Sequence, residues 1–290
     1  MRFRSIPVVL TAAILGIAAL PQQTITIKGS DTMVILCQRW TEVYPGRDRV
    51  RFQVTGGGSG TGIAALINGT TDICASSRPM RPAELEQMRQ RYGRPPVEIR
   101  VALDGLAVYV NRANPVSKLT MQQIRDIFTG KITNWKQVGG PDARIILYSR
   151  ENNSGTYEFF KEHVLGGADF APNTQHMPGT AALINAVAKD RWGIGYGGAA
   201  YAREVKEIAV AEAPGKPYYL PTLENVVSRR YPISRFLYFY LRERPSGELK
   251  SFVDWVLSDD GQRRVVSEVG YFPLRAIGEK KQPAPAAPRK

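Results

Sequence analysis

The sequence predicts an α/β protein built as two lobes, each a mostly parallel sheet flanked by helices. Three observations point there. Strand and helix patterns alternate from residue 24 to residue 76, the signature of parallel strands joined by helical crossovers. Two long apolar segments, 101–110 and 233–241, lie far apart in the chain and read as paired crossings between the lobes. Between those crossings runs a second series of strand and helix patterns. At 290 residues and 43% hydrophobic, the chain is long enough to bury two cores.

Taken in order, Arg2 and Arg4 precede an apolar run, 6–20, that is short for a membrane span and ends at Pro21-Gln22-Gln23. Residues 1–23 therefore read as a secretory signal, against an uncleaved anchor as the competing reading, and the protein is expected to be exported to the periplasm. Thr24 to Lys28 alternates as a strand, and Met33, Leu36, Cys37, Trp40, Val43 and Tyr44 then repeat at helical spacing. Gly46 stops that helix, Val50, Phe52 and Val54 alternate again, and a helix carrying Ile63, Leu66 and Ile67 ends at Gly69. A strand follows over 71–76. Beyond the first crossing the pattern gives a helix at 119–128, a strand at 144–148, a helix from Ser154 and a strand about Ile194-Gly195-Tyr196. After the second crossing, Phe252, Val253, Val256 and Leu257 mark a helix expected to pack back on the first lobe. The domain division is then 24–105 and 231–278 for lobe 1 and 106–230 for lobe 2, with 279–290 a low-complexity tail expected to be disordered.

The formal net charge is +13. Setting the two termini aside leaves about +8 on the body, enough to steer a small anion. The basic residues are scattered without interleaved aromatic side chains, which argues against nucleic acid as partner. Cys37 and Cys74 are the only cysteines. Export permits a disulfide between them, while their apolar surroundings suit two buried thiols. With two distant histidines they make no zinc pattern. Nor is there a phosphate loop ending in Gly-Lys-Ser/Thr, or a Gly-x-Ser-x-Gly elbow, so neither nucleotide hydrolysis nor serine hydrolysis is indicated.

Three stretches rich in Ser, Thr and Gly each stand directly ahead of a helix pattern: 29–32, 56–62 and 154–156. A helix start leaves backbone N–H groups unpaired and carrying partial positive charge, which suits an anion. Glycine lets the backbone approach closely, and hydroxyls supply further donors. One such stretch is an ordinary helix cap, but three suggest a pocket for a small oxyanion.

The stretches Gly29-Ser30-Asp31-Thr32, the glycine loop with Ser59, Thr71 to Arg78, and Ser149 to Thr156 occur in an order that resembles the periplasmic phosphate-binding proteins. These are the solute receptors of the phosphate ABC transporter. Tyr231-Pro232-Ile233-Ser234, Gly261-Gln262 and Val269 to Leu274 resemble that family too, so the likeness covers roughly 24–278. It implies a two-lobed periplasmic binding protein of type II that closes on phosphate. The protein would act as a monomer, without cofactor, metal or catalysis, and deliver its ligand to the permease subunits in the inner membrane.

By position, the resemblance implies that Asp31, Thr32, Met33 and Ser59 present backbone and hydroxyl donors. It implies that Asp72 accepts the proton of hydrogen phosphate, and that Arg150 offers its guanidinium. Ser154, Gly155 and Thr156 would hold the anion at the start of a helix in lobe 2. Asp31 is expected to cap its helix, because a carboxylate turned inward would repel phosphate, and some members carry an acid where Asn152 stands. Arg78 is expected at a hinge or on the surface. Other tetrahedral oxyanions (sulfate, molybdate, tungstate) and a secreted phosphatase are the alternatives.

Overall fold

The computed structural model describes residues 22–274, so the expected signal up to residue 21 and the tail 279–290 lie outside the described residues. The chain opens with β1 (Gln23–Gly29), α1 (Val34–Val43), β2 (Val50–Thr55), α2 (Ser59–Asn68), β3 (Ile73–Ser76) and α3 (Pro82–Tyr92). A single turn of 3-10 helix, Asp31–Met33, leads into α1. The first strand begins at Gln23, pairing with Val50, one residue ahead of the expected start of lobe 1. Next come β4 (Val97–Val110), β5 (Lys118–Thr120), α4 (Met121–Phe128), β6 (Ile146–Arg150), α5 (Gly155–His163), β7 (Gln175–Met177) and α6 (Gly179–Lys189). The chain then forms β8 (Gly193–Gly198), β9 (Lys206–Glu207), β10 (Ala209–Ala211), α7 (Leu223–Val227), β11 (Ser234–Leu241), α8 (Gly247–Val256) and α9 (Ser267–Val269), with a π-helical turn, Asp260–Val266, before α9.

The strands hydrogen-bond in the order β2-β1-β3-β11-β4-β8-β6-β7, with β9 beside the end of β4. Each half holds a parallel set, β1 with β2 and β3 in the first and β6 with β7 and β8 in the second, while β11 runs antiparallel to β3 and β4 antiparallel to β8. The two predicted crossings pair antiparallel along their length, from Ser234 opposite Gly105 to Leu241 opposite Val97. Residues 106–110 of β4 then pair with β8 instead. The two halves therefore share one ladder through β4, a continuity that periodicity alone did not indicate.

Each half has its own core. In the first, Ile25, Ile27, Leu36, Trp40, Val101, Leu237, Phe239, Phe252 and Val256 are buried together, with Trp40 edge-on to Phe239 at 5.6 Å between centroids. In the second, Leu106, Val108, Ile124, Phe128, Trp135, Phe160 and Tyr196 form the centre, and Phe160 stacks on Tyr196 at 3.8 Å. Burying each large side chain contributes roughly 1.5–3 kcal/mol, so either core is a substantial unit. The helix holding Phe252 packs on the first half, as its pattern suggested. Tyr231 and Ile233, where the chain enters the second crossing, pack with the second core. Cys37 and Cys74 are buried free thiols, and burial pushes both far above the ordinary thiol range, so the disulfide reading is not realised.

Within each half the parallel strands bring their carboxyl ends to one edge. Gly29 and Ser76 close β1 and β3, and Arg150 and Gly198 close β6 and β8. Because the two sets run in opposite directions, these edges face each other where β4 passes between the halves. The strand predicted at 144–148 runs instead over Ile146–Arg150, which makes Arg150 the last strand residue.

Candidate functional site

Between these facing edges five buried hydroxyls from both halves converge. Ser30 Oγ donates to Ser77 Oγ at 2.8 Å, and the Ser77 amide donates to Ser59 Oγ at 3.1 Å. Thr32 Oγ1 and Thr156 Oγ1 meet at 2.7 Å, and Ser77 Oγ lies 3.5 Å from Thr156 Oγ1. Ser59 opens α2 in the first half, and Gly155 opens α5 in the second. Two helix starts thus face each other across the hydroxyls, and their amides carry the partial positive charge of helix N-termini.

Two guanidiniums bound this cluster, each tied to a carboxylate. Arg150, 1% exposed, donates from Nη2 to Asp31 Oδ2 at 2.8 Å and from Nη1 to Thr180 Oγ1 at 2.9 Å. Its Nε is buried without a hydrogen-bond partner. Arg235 donates from Nε and Nη2 to Asp104 Oδ2 at 3.0 and 2.8 Å, from Nη2 to Thr156 Oγ1 at 3.0 Å, and from Nη1 to the Ser77 carbonyl at 3.0 Å. Asp104 is fully buried, and its Oδ1 has no partner. The cluster therefore offers many donors while its fixed charges offset one another in pairs.

The halves also touch directly. The Gly60 amide donates to the Asn153 carbonyl at 3.0 Å, and Asn153 Nδ2 donates to the Gly57 carbonyl at 2.9 Å. Gly58 has φ +90°, and a Cβ there would meet the Asn153 backbone, so glycine is required by both conformation and space. Tyr201 donates to the Asp31 carbonyl at 2.9 Å, and burial pushes its hydroxyl up, with Asp31 adding to the effect. Behind Asp104, burial and the Asp104 charge push the Glu207 carboxyl up to about 7.

A PBP superfamily domain model matches residues 17–260. Over 274 residues the chain is 37% identical to the phosphate-binding protein PstS of Pseudomonas aeruginosa, covering 87% of this chain and 84% of that protein. The chain belongs to the PstS family. PstS of Bacillus subtilis is 32% identical over 256 residues, covering 87% of this chain and 81% of that protein. Among solved structures, a Clostridium perfringens protein with bound phosphate superposes with a TM-score of 0.78 at 30% identity, over 87% of this chain and all of that one. An ABC-type phosphate transport receptor from Vibrio cholerae gives 0.68 at 30% identity, over 86% and 99% of the two chains. PstS proteins are solute-binding proteins rather than enzymes.

Of the residues that the family pattern pointed to, Thr32, Ser59, Arg150, Ser154, Gly155 and Thr156 come together here. Ser154 Oγ also accepts from the Tyr157 amide at 3.3 Å as the cap of α5. The Met33 amide is taken by the Ser30 carbonyl at 2.9 Å, and its side chain lies in the first core, so it is not turned to the cluster. Asp31 does not cap its helix. Its Oδ1 accepts from the Gly57 amide at 2.8 Å, and Oδ2 holds Arg150. Arg150 thus pairs most closely with an acid of the opposite half, with Glu151 of its own half farther off at 3.5 Å.

Asp72 stands apart. It precedes β3, and at about 3.3 Å per residue four residues of strand put it roughly 13 Å from Ser76. There its Oδ2 accepts from the Thr26 amide and hydroxyl at 2.8 and 2.9 Å, and Arg242 lies 3.7 Å from Oδ1. A carboxylate at the amino end of a strand cannot share the site built at the carboxyl end. Arg78, expected at a hinge or on the surface, is instead 5% exposed and ion-paired beside the cluster.

Ser30, Ser77, Asp104 and Arg235 were not singled out from the sequence. For the last two a signal existed: each is a lone charge in an otherwise apolar crossing, and in register they stand opposite one another. His163 and His176 bond to main-chain carbonyls of Phe159 and Arg150. Among the described residues, no group of three or more His, Cys, Asp or Glu is placed to hold a metal, and no helix is long and apolar enough to cross a membrane.

Proposed function

We propose that this chain is an exported receptor that binds inorganic phosphate between its halves and delivers it to the permease of an ABC transporter. One observation carries the reading: five buried hydroxyls, two opposed helix starts and two carboxylate-held guanidiniums converge from both halves on one point. A dehydrated tetrahedral anion needs that many donors, and the planar guanidinium fork matches its oxygens. The site consists of Thr32, Ser59, Ser77, Ser154, Gly155 and Thr156 as donors, with Arg150 and Arg235 as the charged groups. Residues 24–105 and 234–274 move as one body against 106–233, since Tyr231 and Ile233 pack in the second core, and phosphate favours their closure because both bodies contribute donors.

Asp104 supplies the acceptor that the reading requires. At neutral pH hydrogen phosphate carries a proton and sulfate does not, so a buried carboxylate with a free oxygen favours the first and repels the second. The site hydroxyls are bonded to one another and to arginine rather than to a histidine or carboxylate base, which supports a receptor over a hydrolase. Calorimetry of phosphate-stripped protein against phosphate, sulfate, arsenate and molybdate tests the assignment. Saturable phosphate binding with far weaker sulfate binding is expected, and preferential binding of sulfate or molybdate would overturn it.

A further inference from the structure

Next to the anion cluster lies a second charged assembly that the binding reading does not use. Arg78 directly follows Ser77 in the first half, and Glu158 lies two residues beyond Thr156 in the second. Glu158 Oε2 sits 2.5 Å from Arg78 Nε, and Oε1 sits 2.5 Å from Arg81 Nη2. The side chains of Arg78 and Glu158 are 5% and 7% exposed, whereas Arg81 is 54% exposed. Arg78 is also gripped by Glu84 of its own half, at 2.7 and 2.8 Å.

The arrangement is asymmetric. If the halves part, Arg78 keeps Glu84, but Glu158 loses both of its partners, since its ion pairs among the described residues are those two arginines. Burial pushes the Glu158 carboxyl above the ordinary carboxylate range, and the two guanidiniums pull it back. Its enclosed position therefore depends on Arg78 and Arg81 being there to receive it. Glu158 also lies in the first turn of α5, where a bare negative charge would oppose an anion at that helix start. Contact with the arginines neutralises it in the closed arrangement only.

We propose that Glu158, with Arg78 and Arg81, is a latch that holds the halves closed and sets how long the anion stays bound. The proposal rests on the phosphate reading for its ligand, but the latch itself is a property of the two halves. Arg81 is exposed enough for Arg81→Glu to leave folding intact, and that change turns the latch into facing carboxylates. Phosphate binding by Arg81→Glu, followed by calorimetry and by stopped-flow release, is expected to weaken about ten- to hundredfold through faster release. Adding Glu158→Gln removes the repulsion, so the double variant is expected within about threefold of Glu158→Gln alone.

Affinity within twofold of wild type for Arg81→Glu would overturn the latch, as would a double variant that binds as weakly as Arg81→Glu while Glu158→Gln alone binds like wild type. X-ray scattering of the ligand-free proteins gives a reading independent of phosphate, with a larger radius of gyration expected for Arg81→Glu. Should wild type bind no phosphate, the functional reading fails on its own, while equal radii for the two proteins would still overturn the latch.

Discussion

Arg235 bridges Asp104 and Thr156: its Nη2 donates to both, at 2.8 and 3.0 Å. Asp104 and Arg235 stand opposite each other on the two crossing strands, so the pair sits where the halves join. Thr156 belongs to the second half and Thr32 to the first, and their hydroxyls touch. The shared ladder thus carries a charged group to the point where the halves meet. Arg150 does the same from the other side, joining the end of β6 to Asp31. Two salt bridges between elements that are distant in sequence frame one small volume lined by hydroxyls.

Removing Arg150 tests that frame. Arg150→Ala deletes a buried guanidinium and leaves Asp31 unpaired beside the anion, so phosphate affinity is expected to fall by about 2–5 kcal/mol. That corresponds to roughly thirtyfold to several thousandfold. Adding Asp31→Asn removes the stranded carboxylate and is expected to recover part of the loss. Calorimetric titration of both variants decides the matter, and a single variant within twofold of wild type would place Arg150 outside the site.

Selectivity separates the two aspartates. Asp104→Asn exchanges a buried carboxylate for an amide that can donate, so sulfate is expected to gain on phosphate by at least about tenfold. Asp72→Asn acts at the far end of β3, where the carboxylate bonds Thr26, and is expected to leave the phosphate-to-sulfate ratio within about twofold. Competition titrations with both anions read this directly. A changed ratio in Asp72→Asn, with none in Asp104→Asn, would reverse the assignment.

The contrast between those aspartates shows what the sequence made legible. Strand and helix alternation, the two crossings and the helix starts at Ser59 and Ser154 were readable because each is a local pattern with a local cause. Which end of a strand a residue occupies is equally local: Asp72 belongs to the motif that the family resemblance points to, yet it stands before β3, at the strand's amino end. The Asp104 and Arg235 pair depends on register between strands about 130 residues apart, which no window of sequence contains. Arg78, expected at a hinge or on the surface, is buried between Glu84 of its own half and Glu158 of the other, a contact between segments about 80 residues apart that no local pattern reveals.

Glu207 gives the fold a pH dependence. Its carboxyl is held at about 7 in the folded protein against an ordinary value of 4.5, through burial and then the nearby Asp104 charge. Between those values the folded state holds a proton that the unfolded chain has released, so stability falls as pH rises through this window. The gap corresponds to roughly 3 kcal/mol at most. Urea unfolding at pH 5 and pH 8 is expected to show Glu207→Gln gaining on wild type at pH 8 and little at pH 5. An equal effect at both pH values would remove Glu207 as the cause.

Gly155 separates closure from folding. A Cβ at this position would meet Ser59 Cβ at 2.8 Å and Ser77 Oγ at 2.9 Å, and both residues belong to the other half. When the halves are apart the methyl group has room, and alanine suits a helical first turn better than glycine by about 0.5–1 kcal/mol. Gly155→Ala is therefore expected to unfold at the same urea concentration as wild type or slightly higher. In the closed state the same methyl group overpacks two opposed helix starts, a cost of about 1–3 kcal/mol. Phosphate affinity should fall by roughly fivefold to a hundredfold and more, and X-ray scattering at saturating phosphate should show less compaction. Parallel losses of stability and affinity would mean that Gly155 serves the fold of its own half, whereas undiminished affinity would mean that the two helix starts do not close on each other when the anion binds.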